Sequence, residues 1–107
     1  CIRDRLEADG LVLEGVWTHL ASADDPTDPF TAEQVRRFDE VLAALDAEGI
    51  DPGLRHQANS PATLAHPATR RDLVRTGIAA YGVPPSPALE PHVSQLGLRP
   101  AMRLVSE

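Results

Sequence analysis

Four short apolar segments of this 107-residue chain are each followed at once by a residue suited to touching a ligand: His19, the pair Asn59 and Ser60, Arg75, and Gly77. Singly, each has a plain reading. His19 would be a structural ring, Ser60 a helix cap, Gly77 a tight turn, and Arg75 a surface partner of Asp72. Their recurrence at segment ends carries more weight, because parallel α/β architectures bind ligands at the carboxyl ends of strands. Together these types suit a phosphate-bearing planar cofactor. Ser60 and the N–H groups opening its helix offer donors at the positive end of a helix dipole. Gly77 has no side chain, so its own N–H and that of Ile78 can approach a second phosphate edge. An imidazole at position 19 can lie flat against an aromatic ring. Arg75 stays charged and can only donate.

The elements that must position these residues follow from periodicity and caps. Residues 11–18 (LVLEGVWT) read as a short strand covered on both faces, with His19 just beyond it. A loop dense in Asp and Pro follows. Thr31 then predicts a helix start, with Gln34 closing a capping box and Phe30 and Val35 at staple spacing. Val35, Phe38, Val41, Leu42 and Leu45 form its apolar stripe, Glu33 and Arg37 an i,i+4 pair, and Gly49 its end. Residues 54–58 predict a second strand, and Ser60 with Pro61 the cap and first position of a brief helix ending by His66 and Pro67. Residues 72–75 and 77–81 read as two more strands. Four prolines between Pro84 and Pro91 predict an irregular connector, and residues 101–105 (AMRLV) a new strand. Residues 1–8 read as the last turns of a helix capped by Gly10. With no cap opening that helix and a strand beginning at the far end, the chain reads as cut at both ends.

Composition bounds the rest. Apolar residues make up 42% and charged residues 24%, enough for a core and too ordered a mixture for a disordered chain. The net charge is −6, and basic residues cluster only as Arg36–Arg37 and Arg70–Arg71, so nucleic acid has no electrostatic footprint. The single cysteine, Cys1, excludes an internal disulfide and leaves no zinc spacing. No membrane span or signal segment is visible, and a cytoplasmic setting is expected.

THLASADDP, FTAEQVRRF, HQANSPATL, DLVRTGIAAYG and the ending GLRPAM, in this order and spacing, resemble alanine racemases, pyridoxal-phosphate enzymes of the fold-type III class. The resemblance implies an α/β fold, the second half of a (β/α)₈ TIM-type barrel over residues 1–90. It implies that residues 91–107 are a connector and the first strand of a C-terminal β-domain. His19 would stack near the cofactor ring, Asn59 and Ser60 would lie at its phosphate, with Ser60 the direct ligand, and Gly77 and Ile78 would add backbone amides. Arg75 would hydrogen-bond the pyridine nitrogen, and His56 would hold that arginine.

The resemblance further implies interconversion of L- and D-alanine, supplying D-alanine for peptidoglycan, by a homodimer whose active sites are completed by the partner's C-terminal domain. Two bases are expected, a lysine that also holds the cofactor and a tyrosine opposite. All 10 basic residues are arginines, so the lysine is not in this chain, and Tyr81 does not match the tyrosine. No catalytic residue and no metal ligand is expected here, and the chain alone is expected to be inactive. Two alternatives stand: a serine or broad-specificity racemase of the same class, and a free-standing binding module. Against the module, a half-barrel leaves strand edges unpaired.

Overall fold

The computed structural model describes residues 10–103 and residues 105 and 106. Its frame is a two-stranded parallel sheet, β1 (Gly15–Trp17) beside β2 (Leu54–His56). Gly15 faces Leu54, Val16 faces Arg55, and Trp17 faces His56. A long helix, α1 (Phe30–Ala47), makes the crossover, and a short one, α2 (Ser60–Ala65), leaves β2. The last helix is α3 (Glu90–Gln95).

Both strands are shorter than their apolar runs predict. Leu11 and Val12 are 61% and 85% exposed and lie outside the ladder, which begins where Leu54 N–H donates to the Glu14 carbonyl at 2.9 Å. Trp17 and Leu54 are also more than half exposed, so the expected covering of both sheet faces is not supplied by the described residues. Beyond β2, Gln57 and Ala58 are fully buried without belonging to the strand.

The predicted third strand is an extended edge instead. Asp72 N–H donates to the Arg55 carbonyl and Arg75 N–H to the Ala58 carbonyl, so the two segments advance in parallel. A carboxylate takes the place of a further backbone rung: Asp72 accepts the Arg55 backbone N–H at 2.8 Å and two bonds from its guanidinium. These bonds, from the Arg55 side chain first and its backbone second, hold the Asp72 carboxyl at about 2, below its ordinary value. A depressed carboxylate stabilises the fold above its unfolded value and loses that contribution as pH falls through the folded one. Chemical denaturation should therefore show a larger loss for wild type than for Asp72→Asn between about pH 5 and about pH 2.

The predicted fourth strand is a 3₁₀ turn, Ile78–Tyr81. Ser60 Oγ accepts N–H groups from both Gly77 and Ala79, and Ala80 N–H returns to the Gly77 carbonyl, which curls the segment. Nor do the prolines exclude regular structure. Pro87 and Pro91 sit in the first turns of a 3₁₀ turn (Pro87–Leu89) and of α3, where a missing N–H costs nothing. Residues 101–103 form no strand, and Leu104 lies outside the described residues, as does the helix predicted over residues 1–8.

Helix α1 starts two residues earlier than its capping box predicts, with Pro29 rather than Thr31 at the N-cap. Asp28 accepts the Phe30 N–H at 2.8 Å, Phe30 is already helical, and Pro29 caps without a side-chain bond. Thr31 is buried, with its hydroxyl unpartnered, and Gln34 is engaged elsewhere. The C-terminus is as expected: Gly49 adopts φ +69°, its N–H reaching the Asp46 carbonyl and Ile50 N–H the Leu45 carbonyl. Glu33 pairs with Arg36 and Arg37 on the outer face.

Leu20, Ala23, Ala58 and Ala62, with Val35 against them, form one apolar cluster that ties the exit of β1 to α2. Leu64, Ala79 and Val93 form a second, which seats the 3₁₀ turn. Gly82 closes that turn at φ +72°, and a Cβ there would come 2.0 Å from the Arg99 carbonyl oxygen. Gly82→Ala should cost more than the roughly 1 kcal/mol of an ordinary glycine replacement, since backbone must move. A melting curve unshifted from wild type would contradict that packing.

Candidate functional site

Three side chains form a row across β1, β2 and the docked edge. Trp17 and His56, cross-strand partners, lie with rings 12° from parallel and centroids 6.1 Å apart. The Arg75 guanidinium stands 4.9 Å from the Trp17 ring centroid, over its face. Arg75 Nη2 donates to the Thr18 carbonyl at 3.0 Å, and Nη1 meets His56 Nδ1 at 2.7 Å. Because arginine can only donate, His56 Nδ1 must accept, which places the histidine proton on Nε2. Burial first, and the Arg75 charge second, hold His56 below its ordinary pKa, so the ring is neutral at neutral pH. Two of the five guanidinium N–H groups are thus engaged, and three remain without a partner among the described residues. The plain alternative for Arg75, a surface pair with Asp72, does not occur; Asp72 belongs to Arg55.

The second part of the site lies where α2 begins. Asn59, not Ser60, is the N-cap: its Oδ1 accepts the Ala62 N–H at 3.1 Å. Its Nδ2 donates to the Leu20 carbonyl at 2.9 Å, so both ends of this amide tie backbone together. That releases Ser60 for another task. Ser60 is 5% exposed, and its Oγ accepts from Gly77 N–H at 2.8 Å and from Ala79 N–H at 3.3 Å. With both acceptor positions filled, the hydroxyl proton is left for an outside acceptor. Helix α2 has only six residues, Asn59 takes its Ala62 N–H and Pro61 has none, and the Gly77 and Ala79 N–H groups go to Ser60, so the side-chain hydroxyl and the Ile78 N–H remain as donors here. Gly77 N–H points at Ser60, while Ile78 N–H has no partner among the described residues. A Cβ on Gly77 would meet only Ser60 Oγ, at 3.7 Å, so the space beside it is open.

His19 is exposed, two residues past β1. Its carbonyl accepts from Gln34 Nε2 at 2.9 Å, and Gln34 Oε1 accepts the Ala21 N–H at 2.8 Å. Gln34 therefore clamps the turn that carries His19 rather than closing a capping box. Sequence reasoning missed Gln34, Thr18 and Trp17. An aromatic residue at a strand end, two residues before a histidine, is the signal that could have found Trp17; backbone acceptors such as Thr18 leave none.

Successive parallel segment ends of this α/β chain thus present a serine hydroxyl, a free backbone N–H and a fixed arginine, all hydrogen-bond donors. The chain belongs to the alanine racemase family: the alanine racemase N-terminal domain matches residues 2–85. It is 48% identical over 103 residues to the alanine racemase of Streptomyces coelicolor, covering 95% of this chain and 26% of that one. The crystal structure of alanine racemase from D-cycloserine-producing Streptomyces lavendulae superimposes with a TM-score of 0.75 at 57% identity, covering 82% of this chain and 23% of that one. The Bacillus anthracis enzyme with bound L-Ala-P gives a TM-score of 0.66 at 42% identity, over 73% of this chain and 20% of that one. The chain thus spans about a quarter of the length of the curated relatives it matches. Among the described residues no helix is long and apolar enough to cross a membrane.

Proposed function

We propose that this chain is the second half of the cofactor-binding barrel of an alanine racemase, which interconverts L- and D-alanine in the cytoplasm as a homodimer. The observation that carries the reading is the pairing of a Ser60 hydroxyl that has its proton to give with an Arg75 fork that has three N–H groups to give. These groups fit pyridoxal phosphate, which needs donors at its phosphate and at its ring nitrogen. When bound, pyridoxal phosphate supplies an electron sink for negative charge at the amino-acid α-carbon.

The residues divide the work of holding it. Ser60 donates its proton to a phosphate oxygen, and Ile78 N–H is a second donor beside it. Gly77 contributes chiefly by leaving room, since its N–H holds Ser60. Asn59 positions Ser60 by anchoring α2 to the Leu20 carbonyl. Arg75 donates to the ring nitrogen and, being permanently charged, cannot take a proton from it in exchange. His56 fixes the fork by accepting from it, and His19 offers a ring face. Proton transfer to and from the α-carbon belongs to residues outside this chain, which has no lysine.

The exposed faces of Trp17 and Leu54 support a barrel half over a self-contained module, since a free module would leave this apolar surface in water. The test is to assay the whole protein with pyridoxal phosphate on L-alanine and on L-serine, following loss of optical activity. Racemisation of alanine in preference to serine is expected. Preference for serine would assign the other substrate, and no racemisation of either would sink the reading.

A further inference from the structure

We infer that Trp17 is a positioning residue for Arg75: its indole face holds the guanidinium against the Thr18 carbonyl and His56 Nδ1, so that the rest of the fork stays aimed at a ligand. The role toward a ring nitrogen rests on the pyridoxal-phosphate reading above.

Two hydrogen bonds alone do not fix a guanidinium in space. Bonds from Nη1 to His56 and from Nη2 to Thr18 pin two corners of the guanidinium plane. Rotation about the line joining those corners would still swing the third edge, and with it the unpaired N–H groups. The Trp17 ring, 4.9 Å from Cζ, closes off that swing on one side and attracts the cation through its quadrupole. Trp17 also stacks beside His56, so one indole restrains both the donor and its acceptor. Among the described residues no acidic side chain pairs with Arg75, so the indole is the group that offsets its charge without capturing its N–H groups.

The test uses the whole protein in two arms, with Trp17→Leu and Trp17→Phe. Without cofactor, isotope-labelled histidine reports the His56 ring nitrogens. Wild type and Trp17→Phe should show one fixed tautomer with Nδ1 as acceptor, and Trp17→Leu an averaged pair. A fixed tautomer in Trp17→Leu overturns the inference, and so does a Phe variant as averaged as the Leu variant, because any ring face should serve. With cofactor, the ratio of transamination to racemisation should rise about fivefold in Trp17→Leu and stay near wild type in Trp17→Phe. An unchanged ratio in Trp17→Leu overturns the role toward the ring nitrogen. A wild-type protein that binds no pyridoxal phosphate would instead sink the reading of function, while the cofactor-free arm still decides whether Trp17 holds Arg75.

Discussion

Ser60→Ala should weaken pyridoxal phosphate far more than it weakens pyridoxal. The hydroxyl does two things at once. It accepts N–H groups from Gly77 and Ala79, and it keeps its own proton for a ligand. A hydrogen bond to a charged group contributes about 1.5–3 kcal/mol, so losing the phosphate donor alone should raise the dissociation constant roughly 10- to 100-fold. Alanine also leaves the Ala79 N–H buried without an acceptor, at a cost of about 1–3 kcal/mol. That second effect loosens the 3₁₀ turn (Ile78–Tyr81) and carries Ile78 N–H out of place, so it adds to the first. Titrating both ligands into the whole protein separates the two roles. Equal weakening of pyridoxal and pyridoxal phosphate would show that Ser60 only supports backbone and does not hold phosphate.

The serine was legible in the sequence, but its geometry was not. Asn59 followed by Ser60 and Pro61 announces a helix start, and both Asn and Ser cap well. Which of the two caps depends on a distant partner: the Leu20 carbonyl takes Asn59 Nδ2 and turns its Oδ1 to Ala62. The same holds for Gln34, whose spacing from Thr31 is that of a capping box, yet both ends of its amide go to the turn after β1. Local patterns name residues capable of a bond; the tertiary partner decides which bond forms.

Strand lengths failed for a related reason. Apolar runs predict surfaces to be covered, and residues 11–18 and 54–58 have such runs, but a strand is defined by its neighbours. Only Gly15–Trp17 and Leu54–His56 have each other. The edge at 72–75 does dock on β2, yet Asp72 replaces a rung with its carboxylate, and Arg71 precedes it in a left-handed turn at φ +46°. Arg71 is held there by an ion pair with Asp39, by the Phe38 ring 5.7 Å away, and by Gln57, whose amide oxygen, once oriented to accept, lies 3.0 Å from Arg71 Nε. Nothing in the local sequence announces a contact between residues 38 and 71.

Arg75→Glu should convert part of the racemase activity into transamination. If pyridoxal phosphate binds as proposed, arginine at this position would give the ring nitrogen a donor that never surrenders its proton, leaving that nitrogen unprotonated and the cofactor a weaker electron sink. Glutamate inverts every contact of the row. It cannot donate to the Thr18 carbonyl, it faces that oxygen with like charge, and it removes the cation that helps keep His56 neutral. His56 Nδ1, until then an acceptor, would take a proton to pair with the new carboxylate, so its pKa should rise above the depressed wild-type value. On the same reading, a carboxylate at position 75 would favour a proton on the ring nitrogen and so strengthen the electron sink that the bound cofactor would supply. One pKa unit corresponds to about 1.4 kcal/mol, so the ratio of pyruvate formed to D-alanine formed should rise about tenfold or more. Arg75→Leu separates the terms: it removes the donor without offering an acceptor, so it should slow racemisation with a smaller change in that ratio. If Arg75→Glu leaves the ratio of pyruvate to D-alanine at its wild-type value, Arg75 does not govern the ring nitrogen.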